Sequence, residues 1–175
     1  AAELCQNRGI PFVLDAAQSA GCLEVDMERL GAAFIAMPGH KGLRGPQGTG
    51  LLLCGHETKT LLEGGTGSVS RQMEMPEFLP DRMEPGTHNM PGAAGLLAGL
   101  RTVRRLGTEE ILRSERELLS YAAKRLGAIS GIRLYRGENQ TGVLSFVTEQ
   151  ADCVLFGEEL SRRWDIALRS GLHCA

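Results

Sequence analysis

The chain has 175 residues, of which 42% are hydrophobic and 23% are charged, and its formal net charge is −2. This length is sufficient for one domain, or for parts of two, with a hydrophobic core. The near balance of 19 basic and 21 acidic residues argues against a nucleic-acid groove or a polybasic membrane surface. No apolar run approaches the roughly 20 residues that a membrane-spanning helix needs.

The five cysteines are widely scattered along the chain: Cys5, Cys22, Cys54, Cys153 and Cys174. Their odd number and their spacing match neither a disulfide framework nor a paired zinc-binding motif. The sequence therefore predicts a cytoplasmic protein without a metal site. Because the neighbours of the first four are apolar, we expect those four cysteines to be small core residues.

Short apolar runs alternate with helical patterns along the chain. The predicted strands are residues 11–14, 32–37, 49–54, 132–135, 143–147 and 166–169. The predicted helices, after the end of one in residues 1–8, are 26–30, 91–106, 108–126 and 153–164. Strands that alternate with helices indicate an α/β fold, in which ligands bind at the carboxyl ends of strands.

Two features predict how the chain is organised into domains. The pattern changes after the second long helix, which predicts the later part of a larger domain in residues 1–112 and the start of a smaller α/β domain in 113–175. The chain also has no initial methionine, begins with the end of a helix and stops directly after a predicted strand. We therefore expect it to be an interior segment of a longer protein.

Potentially reactive side chains follow two neighbouring predicted strands. Asp15 ends the first strand and Gln18 follows three residues later, while His40 and Lys41 follow the second strand. We expect Asp15 and Lys41 to leave the same edge of one sheet. The residues alone leave simpler interpretations open, since an aspartate at a strand end is often a structural cap and a loop lysine is often a solvated charge.

The surroundings of Lys41 are rich in glycine. Residues 38–42 read PGHKG and residues 45–50 read GPQGTG, so the backbone can approach a ligand closely and offer amide donors to an anion. A lysine in such a loop can serve as a Schiff-base nucleophile. The loop is not a GxxxxGK[ST] phosphate loop, because its glycines follow the lysine, and no GxGxxG dinucleotide motif is present.

These segments resemble the class V aminotransferase family of pyridoxal-phosphate enzymes, and within it the cysteine desulfurases of the selenocysteine-lyase-like group. The similar segments are residues 15–18 (DAAQ), 39–41 (GHK), 45–50 (GPQGTG), 84–89 (EPGTHN) and 169–175 (RSGLHCA). The resemblance implies the α/β fold of PLP-dependent transferases of fold type I, which is the aspartate aminotransferase fold. Residues 1–112 would then belong to its large cofactor-binding domain.

The resemblance also implies roles in binding pyridoxal 5′-phosphate. Asp15 would pair with the pyridinium nitrogen, so that the ring can withdraw electrons. Gln18 would hydrogen-bond the phenolic oxygen and His40 would contact the phosphate. Lys41 would carry the cofactor as a Schiff base and would move the proton at the substrate Cα.

The remaining implied roles belong to Thr87 and Cys174. Thr87 would contact the phosphate in the partner subunit's site, which implies a homodimer. Cys174 would attack the sulfur of L-cysteine, retain it as a persulfide for a sulfur-acceptor protein and leave L-alanine. This step requires a thiolate, which a neighbouring cation such as His173 would favour.

The chain differs from the family pattern in a few places. Pro38 stands where many relatives have serine, His88 replaces the proline of a Gly-Thr-Pro-Asn segment, and the loop after Lys41 is one residue longer. The resemblance places a phosphate-binding loop and a ring-stacking histidine before Ala1, and an arginine for the substrate carboxylate after Ala175. The isolated segment is therefore expected to bind the cofactor poorly and to be inactive.

Other interpretations remain open at this point. Lysis of selenocysteine would use the same residues, and transamination or epimerisation would leave Cys174 without a role. A non-catalytic segment that serves only dimerisation or partner binding is a further alternative. The glycine-rich residues 64–68 (GGTGS) are either a flexible loop or part of the active-site lining.

Overall fold

The computed structural model describes residues 1–69, 71–138, 140–149 and 151–173. The chain divides into two compact units, Ala1–Ile111 and Leu112–Ala175. The predicted division of the complete protein into domains after residue 112 stays a prediction.

Within the described residues, the first unit is built on a three-stranded sheet with the order β1-β2-β3. The strands are β1 (Val13–Asp15), β2 (Phe34–Pro38) and β3 (Gly50–Cys54). β1 and β2 are parallel, whereas β2 and β3 are antiparallel. The three strands confirm the predicted runs, although β1 and β2 each begin two residues later than expected and β3 begins one residue later.

Helices lie before, between and after these strands in the sequence. Two of them have clear capping residues. The helices are α1 (Ala2–Asn7), α2 (Met27–Leu30), α3 (Met90–Leu106) and α4 (Thr108–Gly127), the last of which ends in the second unit. Asn89 caps α3 by accepting a hydrogen bond from the Gly92 N–H at 3.0 Å. α2 ends at Gly31, whose φ of +58° is left-handed and suits a glycine cap. These boundaries confirm the predicted helices.

The core of the first unit joins the sheet to the segments that follow its strands. Ile35 in the central strand is fully buried, and burying a side chain of this size stabilises a fold by about 2–3 kcal/mol. The buried cluster consists of Ala16, Ala20, Ala32, Ile35, Leu43 and Leu96. The small alanines allow the turn after β1 to lie close to β2. The core therefore fixes the two loops that carry the candidate residues.

Residues 55–89 are mostly irregular in the described part of the chain, with one 3-10 turn at Asp81–Met83. This agrees with the lack of periodicity predicted for 61–89. Among the described residues, no helix is long and apolar enough to span a membrane.

The second unit contains a hairpin and a helix. β4 (Ile132–Tyr135) pairs antiparallel with β5 (Ser145–Thr148), and α5 (Cys153–Trp164) follows. Phe156 of α5 contacts Phe146 of β5 edge to face, with ring centroids 6.4 Å apart. This contact anchors the helix to the hairpin.

The end of α5 and the residues after it refine the sequence predictions. Glu159 pairs with Arg162 at 2.7 Å, and this hydrogen bond, together with the charge of Glu159, raises the pKa of the Arg162 guanidinium.

The predicted helix 153–164 is confirmed, but the strand predicted at 166–169 is wrong. Those residues pair with no strand in the described chain, and an apolar run becomes a strand only where a ladder can form.

Candidate active site

The carboxyl ends of β1 and β2 meet at one edge of the sheet, because the strands are parallel and Asp15 lies opposite Ala36. Asp15 is the last residue of β1, and Lys41 follows shortly after Pro38, the last residue of β2. This arrangement confirms the prediction that Asp15 and Lys41 leave the same edge from neighbouring strands. Ligands of open α/β sheets bind at such an edge.

The Asp15 carboxylate is oriented by its own turn. Its Oδ1 accepts a hydrogen bond from the Ala17 N–H at 2.9 Å, the pattern of an Asx turn. The next residue, Ala16, donates its N–H to the Ala36 carbonyl at 2.8 Å and is fully buried. The Asp15 side chain itself is exposed. The carboxylate is therefore held in place yet remains accessible to a ligand.

The loop that carries Lys41 closes on itself through backbone hydrogen bonds. The Gly39 N–H donates to the Thr49 carbonyl at 2.7 Å, and the Gly45 N–H donates to the Gly39 carbonyl at 2.7 Å. The Arg44 N–H donates to the carbonyl of Lys41 at 2.9 Å. The Lys41 side chain is exposed, and no hydrogen bond or ion pair to it occurs among the described residues. The loop thus holds the lysine backbone and leaves its amine available.

Two glycines bring the turn after Asp15 into direct backbone contact with the Lys41 loop. A Cβ on Gly21 would collide with the carbonyl oxygen of Gly42, and a Cβ on Gly42 would collide with the carbonyl oxygen of Ala20. Gly21 also has a φ of +91°, a conformation that other residues rarely adopt. Glycine at both positions therefore fixes the distance between the two segments.

Helix α3 supports the Lys41 loop through a second close approach. A Cβ on Gly99 would collide with the carbonyl oxygen of Leu43 and would lie 2.6 Å from that of Arg44. A Cβ on Gly45 would lie 2.7 Å from the Leu96 side chain. The loop is therefore packed between α3 and the turn after β1.

The other two residues predicted at this edge are Gln18 and His40. Gln18 lies on the same turn as Asp15, and His40 directly precedes Lys41. Both side chains are exposed. The structure thus brings a carboxylate, an amine, an amide and an imidazole to two adjoining segments, while their individual roles stay predictions.

Thr87 lies on a different segment, which is joined to the glycine-rich residues 64–68. The Gly86 N–H donates to the Gly65 carbonyl at 2.6 Å, and a Cβ on Gly64 would lie 3.4 Å from the Pro85 side chain. Thr87 is exposed, and no hydrogen bond or ion pair among the described residues joins it to Asp15 or Lys41. The segment 64–68 is therefore attached beside Thr87, and its part in an active site stays a prediction.

His88, which replaces a proline in the motif, has a side-chain partner. Its Nδ1 lies 2.8 Å from Oε2 of Glu84, four residues earlier in the sequence, and both side chains are partly exposed. The pair spans the turn that presents Thr87. A side-chain contact thus restrains the turn at a position where the family pattern has a proline ring.

A cavity of about 870 Å³ borders Asp15 in the first unit. Its other walls are formed by β2, by β3 and by residues 79–84. The side chains that line it are mainly apolar, including Leu51, Leu53 and Met83. This cavity places an apolar surface next to the aspartate.

The cysteines differ from one another in exposure. Cys22 is buried, as expected of a core residue, but Cys153 is exposed at the start of α5, so that its prediction as a core residue is wrong. The apolar residues after Cys153 belong to a helix whose first turn faces solvent. Cys174, the predicted nucleophile, lies outside the described residues.

In the described part of the chain, no group of three or more His, Cys, Asp or Glu side chains could hold a metal ion.

Comparison with known proteins assigns the family. The aminotransferase class-V family matches residues 1–175, so the chain belongs to this family. A probable cysteine desulfurase of Methanothermobacter thermautotrophicus is 37% identical over 179 residues, which cover 98% of this chain and 45% of that protein. The chain therefore spans less than half the length of this relative.

Solved structures give the same result for the fold. The chain is similar to the apo cysteine desulfurase from Thermococcus onnurineus, with a TM-score of 0.80, 32% identity, and coverage of 99% of this chain and 45% of that one. It is also similar to the cystine C-S lyase C-DES in complex with cysteine persulfide, with a TM-score of 0.78, 26% identity, and coverage of 91% and 44%. The fold predicted from the motifs, a part of fold type I, is confirmed.

The contact between Gly21 and Gly42 is not among the features predicted from the sequence. Gly21 lies three residues after Gln18 and Gly42 directly follows Lys41, so each glycine is within three residues of a candidate site residue. A glycine beside each of two reactive segments is a signal that their backbones touch. Identifying which glycines meet, however, requires the register of β1 and β2.

We expect Gly42→Ala to loosen the Lys41 loop, because the new methyl group would overlap the Ala20 carbonyl oxygen. Hydrogen–deuterium exchange read by mass spectrometry should show faster exchange in peptides that cover residues 39–49. Gly137→Ala is a matched control, since a Cβ there meets nothing within 4 Å. Unchanged exchange in the Gly42 variant would contradict the close contact.

Proposed function

We propose that the complete protein is a PLP-dependent cysteine desulfurase that converts L-cysteine to L-alanine and retains the sulfur as a persulfide on Cys174. One observation carries this proposal: an oriented Asp15 carboxylate and an exposed Lys41 side chain follow neighbouring strands at the same sheet edge. The names of the relative and of the solved cysteine desulfurase support the choice of reaction. The residue roles below are parts of the same proposal.

The groups at the sheet edge fit pyridoxal 5′-phosphate. An aldehyde needs a free amine, which Lys41 offers, and a protonated pyridine nitrogen needs a carboxylate, which Asp15 offers. The amide of Gln18 suits a phenolic oxygen, and His40 with the amide groups of a glycine-rich loop suits a phosphate. Thr87 would serve the phosphate of the partner subunit's site. The donor set therefore matches the chemistry of this cofactor group by group.

When bound, pyridoxal phosphate supplies an electron sink next to the substrate Cα. The chain's own residues bind it and move protons. Asp15, oriented by its Asx turn, would present its carboxylate to the pyridine nitrogen of the ligand. Lys41 removes the proton from the substrate Cα and later returns a proton to the product, as a general base and acid.

Sulfur transfer needs one further group, the thiolate of Cys174. It attacks the substrate sulfur, so that the Cβ–Sγ bond of the substrate breaks and an S–S bond forms. The electron pair of the broken bond stays with the substrate carbons, and Cβ takes up a proton to become the methyl group of alanine. The reaction is balanced without an external oxidant or reductant. His173, the adjoining residue, would favour the thiolate when protonated.

The proposed function includes partners and a compartment. A role for Thr87 in a neighbouring site requires a homodimer, and a persulfide requires an acceptor protein. The cysteines at positions 5, 22, 54 and 153 are thiols and not disulfides, which suits the reducing cytoplasm. In the complete protein, residues 1–112 would form part of the large cofactor-binding domain and residues 113–175 the start of the small domain.

Lys41→Ala should remove the Schiff-base absorbance of the purified complete protein and lower alanine formation at least about 100-fold, because the variant has lost its proton-transferring amine. Lys59→Ala, a substitution of another exposed loop lysine, should leave both unchanged. Absorbance spectra and an alanine assay test this. A Schiff base that persists in the Lys41 variant would refute the assignment.

Cys174→Ser should keep the cofactor absorbance and abolish persulfide formation, with alanine production from L-cysteine at least about 100-fold lower, because the hydroxyl cannot take up the sulfur. Cys153→Ser, which replaces an exposed cysteine of α5, serves as the control and should remain active. If the Cys174 variant still turned over L-cysteine at the normal rate, the protein would instead catalyse a reaction in which Cys174 has no part.

Such a second reaction has one specific observation in its favour. The similar structure of C-DES belongs to a cystine C-S lyase. This fold therefore also supports a lyase reaction that cleaves a carbon–sulfur bond. The Cys174 variant distinguishes the two reactions. A lyase would retain carbon–sulfur cleavage, whereas a desulfurase would lose it.

A further inference from the structure

The segment that leads to Cys174 returns along helix α5. Asp165 ends the helix with a left-handed φ of +51°, and the Ile166 N–H donates back to the Leu160 carbonyl at 3.2 Å. Further along, Ser170 lies against Gly157, and Gly171 lies near Val154. As the segment proceeds from Ile166 to Gly171, its contacts therefore move along the helix from Leu160 back to Val154. Residues 166–171 therefore run antiparallel to α5, towards its N-terminus.

Gly157 provides the position at which this returning segment touches the helix. It is buried, and a Cβ added to it would lie 2.8 Å from Ser170 Oγ and 2.9 Å from Ser170 Cβ. A real Cβ atom essentially never lies within 3.0 Å of a non-bonded heavy atom, so one of the two segments would have to move. The short side chain of Ser170 has few alternative positions. The missing side chain of Gly157 is therefore what allows Ser170 to lie on α5.

Residues 166–170 are few for the distance that they cover along the helix. The helix rises about 12 Å between Gly157 and its end at Asp165. Residues 166–170 can span at most about 17 Å when fully extended. Because α5 is itself anchored to the hairpin by Phe156 and Phe146, a displacement at Ser170 would pass to the residues after it.

We propose that Gly157 is a positioning residue for sulfur transfer, because its contact with Ser170 sets the path of the segment that continues to Cys174. The inference rests on the proposed function, since it assigns Cys174 as the nucleophile. Gly157 touches neither substrate nor cofactor in this proposal. It acts only through Ser170 and the residues that follow Ser170 in the chain.

Gly157→Ala separates this role from a contribution to stability. Alanine raises helix propensity relative to glycine, so the helix itself gains from the substitution. The added methyl group nevertheless displaces Ser170. We therefore expect a melting temperature that is not lowered and persulfide formation on Cys174 that is about 10- to 100-fold slower, as is typical of a displaced reactive group.

The test uses the complete holoenzyme and a second activity that does not need Cys174. Exchange of the L-alanine Cα proton for deuterium reports the proton transfer assigned to Lys41, and we expect it to stay within about twofold of the wild-type rate in Gly157→Ala. Ser161→Ala is the matched control, since it raises helix propensity at an exposed position of the same helix. All readouts should be normal in this control.

A compensating variant completes the design. Gly157→Ala combined with Ser170→Gly removes the side chain that the new methyl group meets, so persulfide formation should recover most of the loss. If Gly157→Ala does not fold, Ser170→Val enlarges the opposite side of the same contact and should give the same selective loss. Alkylation of Cys174 in cofactor-free protein supplies a readout independent of turnover, and its rate should change in Gly157→Ala and recover in the double variant.

Several results would overturn the inference. Normal persulfide formation in Gly157→Ala would do so, as would an equal loss of proton exchange and persulfide formation that Ser170→Gly does not restore. These outcomes leave the proposed function intact as long as the wild-type protein forms a persulfide on Cys174. A wild-type protein that forms none would overturn the proposed function and this inference together.

Discussion

The close approach of two backbones, at Gly21 and Gly42, is the constraint on which the candidate site depends. Two parallel strands bring Asp15 and Lys41 to one sheet edge, but strands alone do not fix the loops that follow them. The glycines remove the side chains that would hold these loops apart. A carboxylate and an amine on separate loops can then have one fixed relation to a shared ligand.

The same use of glycine recurs at two described places where a segment with a candidate site residue lies against a helix. Gly99 lets α3 lie against the Lys41 loop, and Gly157 lets the segment before Cys174 lie against α5. A helical glycine lowers helix stability by about 0.5–1 kcal/mol relative to alanine. The fold accepts this cost at positions where a closer approach sets the path of a segment that carries, or leads to, a candidate site residue. These positions are therefore better targets for mutagenesis than the exposed glycines of the long loop.

Much of the fold could be predicted from the sequence, because apolar runs and helix caps are local signals. The strands near Asp15 and Lys41 and the helix 153–164 follow from such patterns, and the shared sheet edge follows from an α/β order of elements. The strand expected at 166–169 failed because pairing is not a local property, and Cys153 was misjudged because apolar neighbours do not reveal which side of a helix is covered. The glycine contacts also required three-dimensional information, since each joins residues far apart in sequence.

In the proposed function, Lys41 holds the cofactor and Cys174 receives the sulfur in the same protein. Peptide mapping by mass spectrometry tests both parts at once, using the complete protein incubated with L-cysteine and divided into a borohydride-reduced and an untreated portion. We expect the cofactor mass on the Lys41 peptide of the reduced portion and one extra sulfur on the Cys174 peptide of the untreated portion. A reduced portion without cofactor on Lys41 would refute the proposed role of this lysine.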